Sequence, residues 1–138
     1  TFELRMEAMS NNAQKVAELL HSHPSISRLM YPGHKSHPSH KQAARQMKNG
    51  FSNMMSFDVG ECEGDAKRFI AALKTVRHAV SLGSTESLIC IPYLTTMLYL
   101  PPERRTTFGV LKNTVRLSVG IESFHKIAED LRQALACL

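Results

Sequence analysis

An arginine in the middle of an alternating apolar segment is the residue of this chain that most directly suggests chemistry. Val115, Leu117 and Val119 occupy every second position, as in a strand with one buried face. Arg116 therefore projects from the opposite face. Because a guanidinium can bind a carboxylate or phosphate through two parallel hydrogen bonds, Arg116 is a candidate anion-binding residue. A solvent-exposed or ion-paired arginine is the alternative.

A second candidate region is the segment Ser81-Leu82-Gly83-Ser84. A strand is predicted over residues 78–82, Gly83 then turns the chain, and small hydroxyl residues follow. This arrangement would place the Ser81 side chain and free backbone N–H groups at a strand end, where ligand contacts are common. A plain turn is the alternative.

Three other patterns contain reactive residue types but lack the companions that their chemistry requires. The histidines of residues 34–40 have no Asp, Glu or Cys nearby, so we predict solvated loop histidines and no metal site. Ser123 begins a Ser-x-x-Lys pattern of penicillin-recognising enzymes, but the partner motifs are absent and Ser123 suits a helix N-cap. The basic helix at 41–48 has no interleaved aromatic residue, which argues against nucleic-acid binding.

Size and composition are those of one ordinary globular domain. The chain has 138 residues, of which 43% are hydrophobic and 21% charged. The net charge of +5 comes from scattered residues and predicts at most a mild preference for anions. No apolar run is long enough for a membrane span, and three separate cysteines suggest reduced thiols in a cytoplasmic protein. Because the first residue is threonine, we expect a fragment or a processed product.

Hydrophobic periodicity predicts a two-layer α+β domain in which a long helix precedes strands interleaved with helices. The predicted strands cover residues 25–31, 54–59, 78–82 and 114–119, with an extended segment at 88–92. The predicted helices cover residues 2–21, 41–47 and 66–76, a short stretch after Pro101, and the chain from Phe124 onward. Residues 95–100 are ambiguous.

Three blocks of the sequence together resemble the C-terminal part of the Cys/Met-metabolism family of pyridoxal-phosphate enzymes. This family includes cystathionine γ-synthases and lyases, methionine γ-lyases and homoserine sulfhydrylases. The blocks are His78 to Ile89, Pro101 to Arg105 and Val115 to Glu122. Shorter similar blocks precede them in the same order: Leu4-Arg5-Met6-Glu7, Asn12-Ala13, Val16-Ala17, Tyr31-Pro32-Gly33 and His37-Pro38-Ser39-His40.

The resemblance implies a fold and a domain organisation. Residues 24–138 would form the small C-terminal domain of a fold-type-I enzyme, a mostly antiparallel sheet with helices on one face. Residues 1–23 would form a long helix that links this domain to a large cofactor domain absent from this chain.

The resemblance also implies roles for particular residues. Arg116 corresponds to the arginine that binds the substrate carboxylate, and Ser81 to the serine beside the cofactor-bearing lysine. Val80 occupies a position that is often acidic in the cystathionine enzymes, and a valine there is similar to the methionine γ-lyases. Thr96 is a possible further site residue, but for Thr96 and Glu86 we expect structural roles first.

Two departures from the family pattern affect what this chain can do. The usual histidines of the family are missing from Ile91-Pro92 and Thr95-Thr96-Met97. The cofactor lysine, the phosphate-binding segment and the aspartate that pairs with the pyridine nitrogen belong to the family's large domain. We therefore expect no catalytic residue in this chain and no activity from the chain alone.

The function implied by the resemblance is that of a pyridoxal-phosphate-dependent sulfur amino-acid enzyme, with methionine γ-lyase-type α,γ-elimination preferred. Cystathionine γ-synthase or lyase, or O-acylhomoserine sulfhydrylase, is the alternative within the family, and a non-catalytic anion- or partner-binding domain is the alternative outside it. The family is dimeric or tetrameric, and no nucleic-acid or membrane partner is expected. The apolar stripe of the first helix, with Met6, Met9 and Val16, should fold onto the chain's own sheet or be covered by self-association.

Overall fold

The computed structural model describes residues 1–138 and contains a single five-stranded sheet with five α-helices. The strands are β1 (Ile26–Met30), β2 (Met54–Val59), β3 (Arg77–His78), β4 (Leu88–Cys90) and β5 (Thr114–Ser118). The helices are α1 (Phe2–His21), α2 (His40–Gln46), α3 (Glu63–Ala72), α4 (Pro102–Thr107) and α5 (Phe124–Leu135), and a 3₁₀ turn covers Pro92–Leu94.

The strand that carries Arg116 lies at the centre of the sheet. The strand order is β1-β2-β5-β4-β3, and every neighbouring pair is antiparallel except β3 and β4. Arg116 therefore has a neighbour on each side, Ser56 on β2 and Cys90 on β4. The predicted α+β class with a mostly antiparallel sheet is confirmed.

The apolar side chains that alternate along β2 and β5 form the core with three helices. Phe57, Val115 and Leu117 are fully buried. The helices α1 and α3 pack against this face of the sheet, and α5 packs against both of them. Removing apolar surface from water contributes about 25 cal/mol per Å², and this is the main force that holds the two layers together. The helices thus occupy one face, as predicted, and the other face carries Arg116.

The stripe of α1 is covered within the chain. Val16 and Met9 are buried, Met6 is half-buried, and the helix contacts β1, β2 and α5. Of the two alternatives predicted for this stripe, the structure shows packing on the chain's own sheet. None of the helices, α1 included, combines the length and the apolarity that crossing a membrane requires.

The strand predicted over residues 78–82 is wrong. β3 contains only Arg77 and His78, and the last ladder bond is donated by the N–H of Ala79 to the carbonyl of Ile89. Residues 79–87, here called the site loop, then leave the sheet. They do so because side chains of β5, rather than a neighbouring strand, bind the loop's backbone groups.

Residues 95–100, left ambiguous by the sequence, are organised by Arg105, which lies on the predicted short helix after Pro101. This arginine is 9% exposed, and its guanidinium donates to the carbonyl oxygens of Leu100 at 2.8 Å, Tyr93 at 3.0 Å and Leu98 at 3.1 Å. Irregular backbone leaves carbonyl groups without ladder partners, and a buried carbonyl needs a donor. The Arg105 guanidinium supplies three such donors, so the segment keeps a fixed shape without regular structure.

Asp130 joins the two helices α3 and α5. It is 4% exposed, and its carboxylate accepts hydrogen bonds of 2.8 Å from the N–H groups of Lys74, Thr75 and Val76. Burial raises the pKa of the Asp130 carboxyl, but these three bonds and one from Gln133 outweigh it and hold the pKa below its usual range. The charge is therefore fully matched by partners inside the chain.

Candidate functional site

The guanidinium of Arg116 is only partly engaged by the chain. The side chain is half-buried on the sheet face opposite the helices, and Nη2 donates to the carbonyl oxygens of Val80 and, at 3.4 Å, of Ser81. The chain provides no hydrogen-bond partner for Nε or Nη1 and no carboxylate for an ion pair. Nε and Nη1 are thus open to an anion. Because their N–H bonds diverge, bidentate binding of a carboxylate would pair one of them with the second hydrogen of Nη2.

The site loop presents its backbone, rather than a serine side chain, to Arg116. The hydroxyl of Ser81 makes no hydrogen bond within the chain, and Ser81 is exposed. The N–H groups predicted to be free are not all free, since that of Gly83 donates to the Ser118 hydroxyl at 3.0 Å. Val80 is 54% exposed, and it places an apolar side chain on the loop that holds the arginine.

The C-terminal end of the site loop is fixed by the residues that follow β5. The carboxylate of Glu122 accepts hydrogen bonds from the Ser87 N–H at 2.6 Å and the Ser87 hydroxyl at 2.9 Å. The Ser87 oxygen in turn accepts from the N–H of Gly120 at 2.9 Å. A side chain at Gly120 would collide with the carbonyl of Thr85, so the loop can approach this closely only because residue 120 is glycine.

The remaining predicted residues lie in different situations. Thr96 is exposed, and its side chain makes no hydrogen bond. Glu86 forms an ion pair of 3.4 Å with Arg77, and both side chains are largely exposed, so this pair contributes little to stability. The structure therefore brings Arg116, Val80 and Ser81 together, and it gives Thr96 no link to them.

Two residues of the site were missed by sequence reasoning. The Ser118 hydroxyl binds the site loop, and the Asn53 amide donates to that hydroxyl at 3.2 Å. The position of Ser118, two residues after Arg116 in an alternating strand, places both on one face of the sheet and could have revealed it. Nothing in the local pattern around Asn53 indicates its contact, because its partners lie 65 and 66 residues further along the chain.

The histidine-rich segment is not the solvated loop that we predicted. His34 is 7% exposed, its Nδ1 lies 2.7 Å from the Ser36 hydroxyl, and its ring packs on that of His21 with the centroids 4.2 Å apart. His40 bonds to the carbonyl of Pro32 at 2.8 Å. No three His, Cys, Asp or Glu side chains converge on a point that could hold a metal ion.

Comparison with known proteins identifies the family. The sequence model described as "Cys/Met metabolism PLP-dependent enzyme" matches residues 1–136. The chain belongs to this family. It is 44% identical over 135 residues to cystathionine gamma-lyase of Bacillus subtilis (strain 168), covering 98% of this chain and 35% of that protein. It is also 44% identical to L-methionine gamma-lyase of Fusobacterium nucleatum subsp. polymorphum, covering 98% of this chain and 34% of that protein.

Solved structures of the family have the same fold. Cystathionine gamma synthase from Xanthomonas oryzae pv. oryzae, in complex with aminoacrylate and cysteine, superposes with a TM-score of 0.93 at 38% identity. The match covers 97% of this chain and 34% of that one. The predicted fold of a fold-type-I enzyme is thus confirmed, and the chain spans about a third of the length of the curated relatives it matches.

The contacts at Arg116 do not fit pyridoxal phosphate itself, the cofactor on which the family depends. Such a cofactor needs a lysine for its aldehyde and a carboxylate for its pyridine nitrogen. The partners that the chain gives Arg116 and its loop are backbone carbonyls and the Ser118 hydroxyl, with neither lysine nor carboxylate among them. The open Nε and Nη1 donors of Arg116 are instead suited to a small anionic group such as a carboxylate.

Proposed function

We propose that the chain is the C-terminal part of a pyridoxal-phosphate-dependent sulfur amino-acid enzyme. Residues 24–138 form the small domain, and residues 1–23, with α1, link it to a large domain that carries the cofactor. The match to relatives about three times as long supports this arrangement. The large domain would supply the lysine, and the cofactor bound there would stabilise the carbanion formed at the substrate's Cα.

In this enzyme Arg116 binds the α-carboxylate of the substrate. The single observation that carries this role is a guanidinium with two unused donors on the sheet face that no helix covers. The carbonyls of Val80 and Ser81 fix Nη2 of the guanidinium. The remaining N–H donors then orient the substrate carboxylate, and this sets the orientation of the substrate's Cα–H bond. The exposed Ser81 hydroxyl lies on the same loop, and in this proposal it contacts the lysine amine of the large domain.

The preferred reaction is α,γ-elimination from a methionine-type substrate. Val80 supports this preference because its exposed apolar side chain suits a thioether tail, whereas a second amino group would be left without a counter-charge. Thr96 is a possible further contact to the substrate. Cystathionine cleavage or synthesis, or O-acylhomoserine sulfhydrylation, is the alternative. It is supported by the sequence identity of 44% to a cystathionine gamma-lyase, which equals the identity to the methionine gamma-lyase.

A non-catalytic domain that binds an anion or a partner is the candidate outside the family's chemistry. The open donors of Arg116, which can bind any small anion, support it. We further propose a cytoplasmic enzyme that assembles as a dimer or tetramer. The free thiols of Cys62, Cys90 and Cys137 agree with a reducing compartment.

The test compares the 138-residue chain with the longer enzyme that contains it. The longer enzyme should bind pyridoxal phosphate and, with water, convert methionine into a 2-oxo acid, a thiol and ammonia. The chain alone should show no new absorbance with the cofactor and no turnover. Turnover that scales with the concentration of the chain alone would contradict the domain assignment. Turnover of cystathionine or acyl-homoserine without methionine would move the reaction to the alternative.

A further inference from the structure

A buried hydroxyl connects the carboxylate site to the sheet. Ser118 is 1% exposed, and its oxygen accepts hydrogen bonds from the N–H of Gly83 at 3.0 Å and from the Asn53 amide at 3.2 Å. The same amide donates to the carbonyl of Val119 at 2.9 Å. Asn53 is itself buried, so both residues have a fixed position, and the hydroxyl is a rigid attachment point for the site loop.

The attachment acts on the part of the loop that holds the arginine. Gly83 has a φ of +73°, a conformation that favours glycine, and only its N–H bond to Ser118 ties it to the sheet. Val80 and Ser81, whose carbonyls bind Arg116, lie three and two residues before Gly83. The other attachment, through Glu122 and Ser87, holds the far end of the loop.

We propose that Ser118, supported by Asn53, is a positioning residue for the substrate carboxylate. Ser118 and Arg116 project from one face of β5 about 7 Å apart along the strand. Ser118 fixes Gly83, the loop then holds its carbonyls against Nη2 of Arg116, and the guanidinium presents its open donors in one orientation. Ser118 acts through the loop and the arginine and does not itself need to contact the substrate. This inference rests on the proposed role of Arg116.

A double-mutant cycle in the longer enzyme tests the proposal. Ser118→Ala should lower kcat/KM roughly fivefold to tenfold, the effect of one oriented hydrogen bond. In the Arg116→Ala background the same change should lower kcat/KM less than twofold, because the group that Ser118 orients is gone. Competitive inhibition should show the same dependence. Ser118→Ala should weaken inhibition by norleucine, which has the carboxylate, and should leave inhibition by pentylamine, its decarboxylated form, unchanged.

The matched control is Ser56→Ala. Ser56 lies beside Arg116 on β2 and on the same sheet face, but its side chain makes no hydrogen bond to the loop. It should keep its kcat/KM and its inhibition constants. If Ser118→Ala does not fold, Ser118→Cys keeps a side chain of similar size with a weaker acceptor and should show a smaller loss of the same kind.

Two results would overturn the proposal while leaving the proposed function standing. One is a normal kcat/KM in Ser118→Ala or Ser118→Cys alongside a large loss in Arg116→Ala. The other is a set of losses that multiply in the double mutant, since Ser118 would then act independently of Arg116. A normal kcat/KM in Arg116→Ala would overturn both the role of Arg116 and the positioning role of Ser118.

Discussion

Arg105 and Arg116 are two arginines of one chain whose donors are used in different ways. Every nitrogen of the Arg105 guanidinium donates to a backbone carbonyl, and the group also lies over the Tyr93 ring, 4.8 Å from its centroid. Arg116 uses only Nη2. A buried guanidinium whose nitrogens all bond to backbone carbonyls fixes the segment around it, whereas unused donors on an open face are suited to a ligand.

We expect the largest effect from Arg116→Ala in the longer enzyme, and we expect it on kcat/KM. Loss of the two carboxylate bonds should lower kcat/KM on the order of a hundredfold, about 2.7 kcal/mol. Arg116→Lys should recover only part, because an ammonium lacks the planar fork. The melting temperature and the cofactor content should change little. Steady-state kinetics and melting curves on both variants check this, and a large loss of stability with normal kinetics would give Arg116 the structural role instead.

Arg105→Ala should show the reverse pattern. Removing the guanidinium leaves the buried carbonyl of Tyr93 and the partly buried bonds to Leu98 and Leu100 without their donor, which should lower the free energy of unfolding by about 1–3 kcal/mol. Urea unfolding of the 138-residue chain measures it. Arg104→Ala is the control, because Arg104 is exposed and lies only near the Phe108 ring. Equal stability of the two variants would mean that the carbonyl contacts of Arg105 are not important for the fold.

Asp130→Asn extends the comparison to a carboxylate whose partners all lie in the chain. The amide keeps one acceptor but places N–H groups against backbone donors, so stability at pH 7 should fall by about 1–3 kcal/mol. The pKa of Asp130 is lowered in the folded chain. Its contribution is therefore present above the unfolded pKa, about 3.9, and is lost as the pH falls through the folded pKa.

Urea unfolding of the 138-residue chain between pH 3 and 7 tests this dependence. The wild-type chain should lose stability as the pH falls below about 4. The Asp130→Asn variant should lose less over the same interval. Parallel curves for the two chains would exclude Asp130 as the source of that dependence.

The smallest effect is expected at Ser123, where a cap and a nucleophile make different predictions. Ser123 accepts a hydrogen bond from the Lys126 N–H at 3.4 Å at the start of α5, as the sequence predicted. Ser123→Ala should lower the free energy of unfolding by about 0.5–1 kcal/mol and leave kcat unchanged. Lys126→Ala should also leave kcat unchanged. A large loss of kcat in either variant would revive the Ser-x-x-Lys interpretation.

The sheet and its two faces were predictable because they depend on local alternation. Val115 and Leu117 had to be buried once β5 formed, and Arg116 then had to project from the other face. The N-cap at Ser123 is local in the same sense. The apolar stripe of α1 predicted that the helix needed a cover, with the chain's own sheet as one of two alternatives, but it did not predict that α5 would contribute.

The site loop was mispredicted because its partners are distant in the sequence. Residues 80–82 have the composition of a strand, but Val80 and Gly83 bind side chains that lie about 35 residues later. A local pattern contains no information about such competition. His34 was missed for a related reason, since its burial depends on packing against His21 on α1.

The position of β5 has a consequence for how the chain folds during its synthesis. β5 is the last strand to leave the ribosome, yet it lies between β2 and β4, so the sheet stays in two separate halves until β5 emerges. Long-range pairings of this kind form slowly and leave strand edges exposed in the meantime. Because the strand that joins the two halves of the sheet also carries Arg116, a product truncated before β5 loses the complete sheet and Arg116 together.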